Sequence, residues 1–281
     1  MTTNELIDEF MEHVKRESGE PATIRFYTQR LKNFGDRFGK KRFADLESLE
    51  IQKHFHKIGK KKNYSGTTLA HEITAMKTMQ NFAIREGLIK KPVLVKILKP
   101  RVGRRERVPT PEEIELILQH AREDFSLLYR ALMQTGARPG ELCKVLIEEH
   151  IDWEAGEIVL KKHKTARKTG KPRRIAIGEK FAPLLKQSIG ERTSGPAFLT
   201  ARGKAWQPAH ASACFRKIRN KLKLDRTLVL YCTRHRFGTR LTEEGLPLPE
   251  VATLMGHTSI VTTQRYVHPE LGKLRLKQDL V

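Results

Sequence analysis

The feature that most constrains the fold of this chain is an interruption in its apolar patterning. From Lys90 to Arg107, the groups Lys90-Lys91-Pro92, Lys99-Pro100-Arg101 and Arg104-Arg105-Glu106-Arg107 frame little periodic apolar content, the composition of an extended basic linker. A helix start follows at once. Thr110 is placed as an N-cap, Pro111 as the first helical residue, and Glu113 three residues after the threonine, a capping box ahead of Ile114, Leu116 and Ile117. In 281 residues of 38% hydrophobic content, a break of this kind predicts two folded domains and a tether: 1–90, 91–107 and 108–281.

Before the break the chain reads as helices. Leu6, Ile7, Phe10, Met11 and Val14 form one stripe at helical spacing, and Ile24, Tyr27, Leu31 and Phe34 form a second after Pro21. Leu69, Ile73, Met76, Met79 and Phe82 form a third, closed by Gly87. These stripes face a core, and basic stretches such as Lys57 and Lys60-Lys61-Lys62 lie between them. After the break, helices are predicted from Phe125 to Gln134 and from about Pro139. Glu157–Leu160 and Arg174–Ile177 read as two short strands joined by a basic loop with a Thr169-Gly170-Lys171 turn, and helix returns from Pro208. The predicted fold class is mainly α with a small antiparallel β-sheet.

Lys and Arg total 54 against 32 Asp and Glu, a formal charge of +22. Such a surplus in a folded chain points to a polyanion partner, nucleic acid being the commonest, although a solubilising surface has the same composition. Cys143, Cys214 and Cys232 are odd in number, far apart and without CxxC spacing. They support neither a disulfide framework nor a zinc knuckle and read as small core residues in a reducing compartment. No apolar run approaches the roughly 20 residues of a membrane span, so the expectation is a soluble, cytoplasmic protein without membrane contact. No Asp/Glu/His cluster with metal-ligand spacing stands out, and no cofactor or metal is expected.

Four segments carry chemistry. In Thr135-Gly136-Ala137-Arg138-Pro139-Gly140-Glu141-Leu142, Gly136 can end one helix and Pro139 start the next, which fixes Arg138 at the junction with Glu141 able to orient it. A guanidinium there fits two phosphate oxygens, and an ordinary Arg-Glu pair is the plainer reading. In the hairpin, Lys164 sits where the first strand runs into the turn and can act as a general acid, with Lys161, Lys162 and Lys168 as competitors in a run that can equally be a solvated or phosphate-tracking face. In Tyr231-Cys232-Thr233-Arg234-His235-Arg236-Phe237-Gly238, Arg234 offers a second guanidinium and Tyr231 a hydroxyl. His235, one position further along a helix, is turned about 100° away and reads as buried or structural. In Leu254-Met255-Gly256-His257 and the following Thr263-Gln264-Arg265-Tyr266, Gly256 suits a helix end, and His257 and Tyr266 are either site residues or satisfied core side chains. In a basic chain a phenol is a poor binder of a phosphate backbone, but it can attack one.

Taken together, these segments resemble the tyrosine recombinase, or phage integrase, family. Thr135 to Leu142 looks like its first arginine box, Arg234-His235 with Phe237 its second, and Leu254 to His257 with Thr263 to Tyr266 its terminal box. The intervals of 23 residues from Arg234 to His257 and nine from His257 to Tyr266 match the family pattern. The helical N-terminal part is similar to its core-binding domain, as a pattern of helices. The resemblance implies Tyr266 as nucleophile, Arg138 and Arg234 as a clamp on the scissile phosphate, Lys164 as general acid and His257 as a phosphate hydrogen-bond donor. Where the family usually has His three residues before its second arginine, this chain has Tyr231, and a phenol of pKa about 10 is a poor general base at neutral pH.

The implied function is a site-specific DNA recombinase. Tyr266 attacks a phosphodiester, leaves a 3′-phosphotyrosyl link and expels a 5′-hydroxyl, and a 5′-hydroxyl from another duplex reverses the step without ATP or metal. Two domains close on duplex DNA like a C, and four protomers assemble on two duplexes, with Leu271, Leu274 and Leu276 as residues that can dock on a neighbour or on their own domain. The alternatives are a type IB topoisomerase, which cuts and reseals only, and a DNA-binding protein that has lost catalysis.

Overall fold

The computed structural model describes residues 1–103, 107–163 and 166–266. The chain divides into two compact units, Met1–Arg104 and Arg105–Val281. Lys164, the three C-terminal leucines and the Arg104-Arg105-Glu106 group lie outside the described residues.

The first unit holds α1 (Thr3–Glu17), α2 (Pro21–Phe38), a 3-10 turn (Phe43–Asp45), α3 (Ser48–Lys61) and α4 (Gly66–Arg85). Helix α1 starts on a capping box that the apolar pattern alone did not disclose: Thr2 Oγ1 accepts from the Glu5 amide at 3.3 Å and Glu5 accepts from the Thr2 amide at 2.8 Å. The three predicted stripes meet in one core through Leu6, Phe10, Val14, Leu31, Phe34, Ile73, Met76, Met79 and Phe82. Of the basic stretch, Lys57, Lys60 and Lys61 belong to α3 and Lys62 is its C-cap; Ile51, Phe55 and Ile58 of the helix, at i, i+4 and i+7, join the same core. Within the segment expected as linker, Val93, Leu94 and Ile97 are also buried there. Gln80 holds them, its Oε1 accepting from the Val93 and Leu94 amides at 2.7 and 2.6 Å.

The second unit runs α5 (Pro111–His120), α6 (Glu123–Thr135), α7 (Pro139–Leu142), α8 (Ile147–His150), β1 (Ile151–Asp152), β2 (Glu157–Leu160), α9 (Ala166–Thr169), β3 (Arg173–Ala176), α10 (Ala182–Ile189), α11 (Pro208–Lys221), α12 (Cys232–Glu243), α13 (Leu248–Met255), α14 (Ile260–Thr263) and a 3-10 turn (Gln264–Tyr266). The strands form one antiparallel sheet in the order β1-β2-β3, with Ile158 opposite Ile175 and Leu160 opposite Arg173. Strand β3 starts one residue earlier than the apolar pattern suggests. Arg173 and Ile175 share the buried face while Arg174 and Ala176 face out, so a buried arginine takes the place where alternation calls for an apolar residue. A large core gathers around Phe125, Tyr129, Leu132, Trp206 and Phe215. A smaller one, Phe237, Leu241, Val251, Met255 and Tyr266, joins α12, α13 and the last turn. The architecture is mainly helical with a small antiparallel sheet, as the sequence predicts. Among the described residues no helix is long and apolar enough to cross a membrane.

Candidate active site

The site lies where the two cores of the second unit meet, and it begins with a glycine. Helix α6 ends on Gly136 at φ 59°, its amide bonded to the Leu132 carbonyl at 3.0 Å. A Cβ at Gly136 would stand 2.2 Å from Phe237 Cδ1, so both the left-handed backbone and the contact with α12 require glycine. The chain then reaches Arg138, the N-cap of α7. The Arg138 amide donates to Glu141 Oε2 at 2.9 Å and its Nη1 to Oε1 at 2.6 Å. The sequence expectation that Glu141 orients Arg138 describes this geometry. Burial pushes the Glu141 carboxyl up, but the Arg138 amide and guanidinium outweigh it and hold the group below its usual range.

Arg234, in the first turn of α12, is fully buried. Its Nη1 donates to the Gly136 carbonyl at 2.7 Å and its Nη2 to the Met255 carbonyl at 2.6 Å. One guanidinium therefore ties the α6–α7 junction to the end of α13. Its pKa is lowered by burial and by the neighbouring positive charge of Arg138. At that end, Gly256 takes φ 65° and leads into His257, whose Nδ1 lies 2.8 Å from the Thr263 hydroxyl. The His257 and Tyr266 rings stack with planes 6° apart and centroids 6.1 Å apart. Burial, reinforced by Arg234 and Arg138, pushes the His257 imidazole down to about 3, so it is neutral near pH 7. Burial raises the Tyr266 phenol while Arg234 pulls it back.

The second unit thus brings Arg138, Arg234, His257 and Tyr266 together. Tyr231 caps α12, is 40% exposed, and packs edge-on against His235 at 5.5 Å. His235 is buried, as expected, but its ring stands 5.7 Å from that of Tyr266; it is not turned away from the site.

Sequence reasoning missed Arg173. This β3 residue is 4% exposed, its Nη2 donates to the Leu254 carbonyl at 2.7 Å, and its Nε lies 3.8 Å from Glu141 Oε2. Burial lowers it to about 10 against the pull of Glu141, which leaves it charged at neutral pH. Its only signal in the sequence is an arginine opening the second strand of the hairpin. Three guanidinium groups now act on the one carboxylate of Glu141, and two of them, Arg138 and Arg234, also act on the Tyr266 phenol.

The family model of the phage integrase family matches residues 107–272, and that of the phage integrase N-terminal SAM-like domain matches residues 7–87. The chain belongs to the phage integrase family. Among its relatives, the tyrosine recombinase XerD of Staphylococcus epidermidis is 24% identical over 97% of this chain and 96% of that protein. In fold the chain is similar to a lambda integrase dimer bound to a COC′ core site, with a TM-score of 0.80 at 16% identity over 95% of each chain. A lambda integrase tetramer bound to a Holliday junction gives 0.76 at 17% identity over 92% of this chain and 78% of that one.

Proposed function

We propose that this site-specific DNA recombinase cuts and rejoins duplex DNA through a 3′-phosphotyrosyl intermediate at Tyr266, without ATP or metal. One observation carries the reading: two buried or half-buried arginines, Arg138 and Arg234, are fixed to backbone and carboxylate partners beside the stacked His257 and Tyr266 rings. Held guanidinium groups meet the charge that builds on a phosphoryl transition state without having to reorganise, an effect worth about 10²–10³ in rate per donor. The Thr263 hydroxyl is placed so that it can donate to Nδ1 of a neutral His257, the tautomer whose proton on Nε2 can be donated to a non-bridging phosphate oxygen. Tyr266 attacks, the bond from phosphorus to the 5′ oxygen breaks, and Lys164 protonates the leaving oxygen. Tyr231 hydrogen-bonds the phosphate but does not accept the nucleophile's proton.

The helical first domain, residues 1–90, and the catalytic domain, 108–281, joined by the basic segment 91–107, both bind duplex DNA. The partners are double-stranded recombination sites and three further copies of this chain in a synaptic tetramer. The XerD relative and the tetrameric lambda integrase support this reading. The protein works in the cytoplasm, associated with the nucleoid.

The test uses a nicked half-site that cannot religate. Wild type accumulates a covalent protein–DNA adduct and, given two intact sites, exchanges strands; Tyr266→Phe does neither. Adduct formation without exchange identifies a nicking-closing enzyme. A folded wild type that binds its site and gives no adduct overturns the reading.

A further inference from the structure

Tyr231, His235, Gly238 and Thr242 stand at i, i+4, i+7 and i+11 along α12 and so form one stripe. The Tyr266 residue lies along that stripe. Thr242 Oγ1 donates to the Tyr266 carbonyl at 2.8 Å. One turn nearer the N-terminus, a Cβ on Gly238 would stand 2.9 Å from Tyr266 Cγ. The His235 ring follows at 5.7 Å from the Tyr266 ring, and the Tyr231 ring lies 5.5 Å from that of His235. Backbone at Thr242, ring base at Gly238 and ring body at His235 set the direction of the side chain. Three helical residues advance about 4.5 Å, close to the span from a tyrosine Cγ to its hydroxyl. The phenol hydroxyl is therefore carried toward the His235–Tyr231 end of the stripe, while Arg234 leaves α12 on another side toward Gly136 and Met255.

We propose that His235 is the catalytic base that takes the proton of Tyr266, the task for which the position of Tyr231 offers only a phenol. This rests on Tyr266 being the nucleophile. In cleavage the Tyr266 O–H bond breaks, its proton passes to a ring nitrogen of His235, and the phenolate oxygen forms the bond to phosphorus. The bond from phosphorus to the 5′ oxygen breaks with its electron pair, and the expelled oxygen takes a separate proton from the general acid. Rejoining reverses each transfer, so no oxidant, reductant or co-reactant enters. Among the described residues, the titratable rings packed against this imidazole include Tyr231 on its own helix and Tyr266 from the C-terminal segment, and Arg234 and Arg138 act on the same Tyr266 phenol.

The experiment is single-turnover cleavage of the nicked half-site as a function of pH, with thermal melting and gel-shift binding as controls on folding and DNA affinity. His235→Gln keeps polarity but cannot accept a proton at these pH values. It is expected to cleave about 10²-fold more slowly, with DNA binding within threefold of wild type, and its rate is expected to keep climbing with pH where the wild-type rate has levelled. Adding Tyr231→His to His235→Gln is expected to recover at least tenfold of the lost rate. His235→Phe preserves a ring in contact with Tyr231 and Tyr266, so it separates packing from proton transfer if His235→Gln does not fold, and it is expected to lose rate as His235→Gln does. Cleavage by either variant within threefold of wild type, with an unchanged pH profile, overturns the proposal for His235. An adduct formed by Tyr266→Phe at the wild-type rate overturns the assignment of the nucleophile instead.

Discussion

The two units bury polar groups in opposite ways. In the first, Glu72 is buried with a neutral partner, accepting from Asn33 Nδ2 at 2.9 Å, and Gln80 satisfies two backbone amides. In the second, the fully charged side chains buried among the described residues are Glu141 and the arginines Arg173, Arg219 and Arg234. Arg234 donates to two backbone carbonyls, Arg219 to the Arg226 and Leu228 carbonyls and the Asn220 side-chain oxygen, and Arg173 to carbonyls with Glu141 nearby. A carbonyl satisfies the hydrogen bond without neutralising the charge. Glu72 and Gln80 of the first unit thus sit with neutral partners, whereas the second unit keeps buried positive charge beside the buried carboxylate of Glu141, charge that on the proposed function meets the scissile phosphate.

The largest break in this contrast is expected from Arg234→Ala. It leaves the Gly136 and Met255 carbonyls without their donor and removes one side of the clamp. Loss of a buried donor costs about 1–3 kcal/mol or more for a charged group, and covalent adduct formation is expected to fall at least about 10²–10³-fold. Thermal melting and half-site cleavage read the two effects separately.

Gly238→Ala comes next. The new methyl meets Met255 Sδ at 2.8 Å and the Tyr266 ring at 2.9 Å, and such overpacking costs about 1–3 kcal/mol. Cleavage is expected to fall more than stability alone explains, because the nucleophile itself is displaced; a rate that follows only the folded fraction contradicts this.

His257 sharpens the electrostatic side. Its folded pKa is depressed to about 3 while an unfolded imidazole sits near about 6.5. The unfolded chain therefore binds a proton that the folded one rejects, and the stability present above about pH 6.5 is lost as pH falls toward the folded value. Melts of DNA-free wild type are expected to drop by a few degrees from neutral to mildly acidic pH, and His257→Gln to remove part of that drop.

Glu72 has the opposite sign and the smallest effect. Burial raises its pKa against the pull of Asn33 and Arg30, so its contribution is greatest when the carboxyl is protonated and is lost as pH rises through the folded pKa. Glu72→Gln is expected to leave the melting temperature at neutral pH unchanged or slightly higher. A clear loss there means the ionised carboxylate stabilises the first unit after all.

The same contrast explains what was legible in the sequence. The helices of the first unit were visible as apolar stripes because i, i+4 burial is a local pattern, and the capping box at Thr110 stands in the structure with both reciprocal hydrogen bonds. The junctions at Gly136 and Gly256 were visible because a left-handed helix end leaves a glycine in the sequence. Arg173 was not, since its burial depends on carbonyls about 80 residues away in sequence and it sits among other basic residues that are exposed. The burial of His235 was legible, but its nearness to Tyr266 was not, for a related reason. A helical wheel shows that His235 diverges from Arg234, but which face of α12 meets Tyr266 is set by Gly238 and Thr242, one and two turns further on. Lys164 falls outside the described residues, and its role rests on the hairpin position and the family resemblance.

The identity of the atom that becomes joined to DNA decides the mechanism. The direct measurement is to trap the adduct on a nicked half-site of the chain's own recombination sequence, digest the protein, and locate the DNA-bearing peptide by mass spectrometry. The expected result is a 3′-phosphate esterified to Tyr266. Linkage to Tyr231 or any other residue, or attachment through a 5′-phosphate, contradicts it.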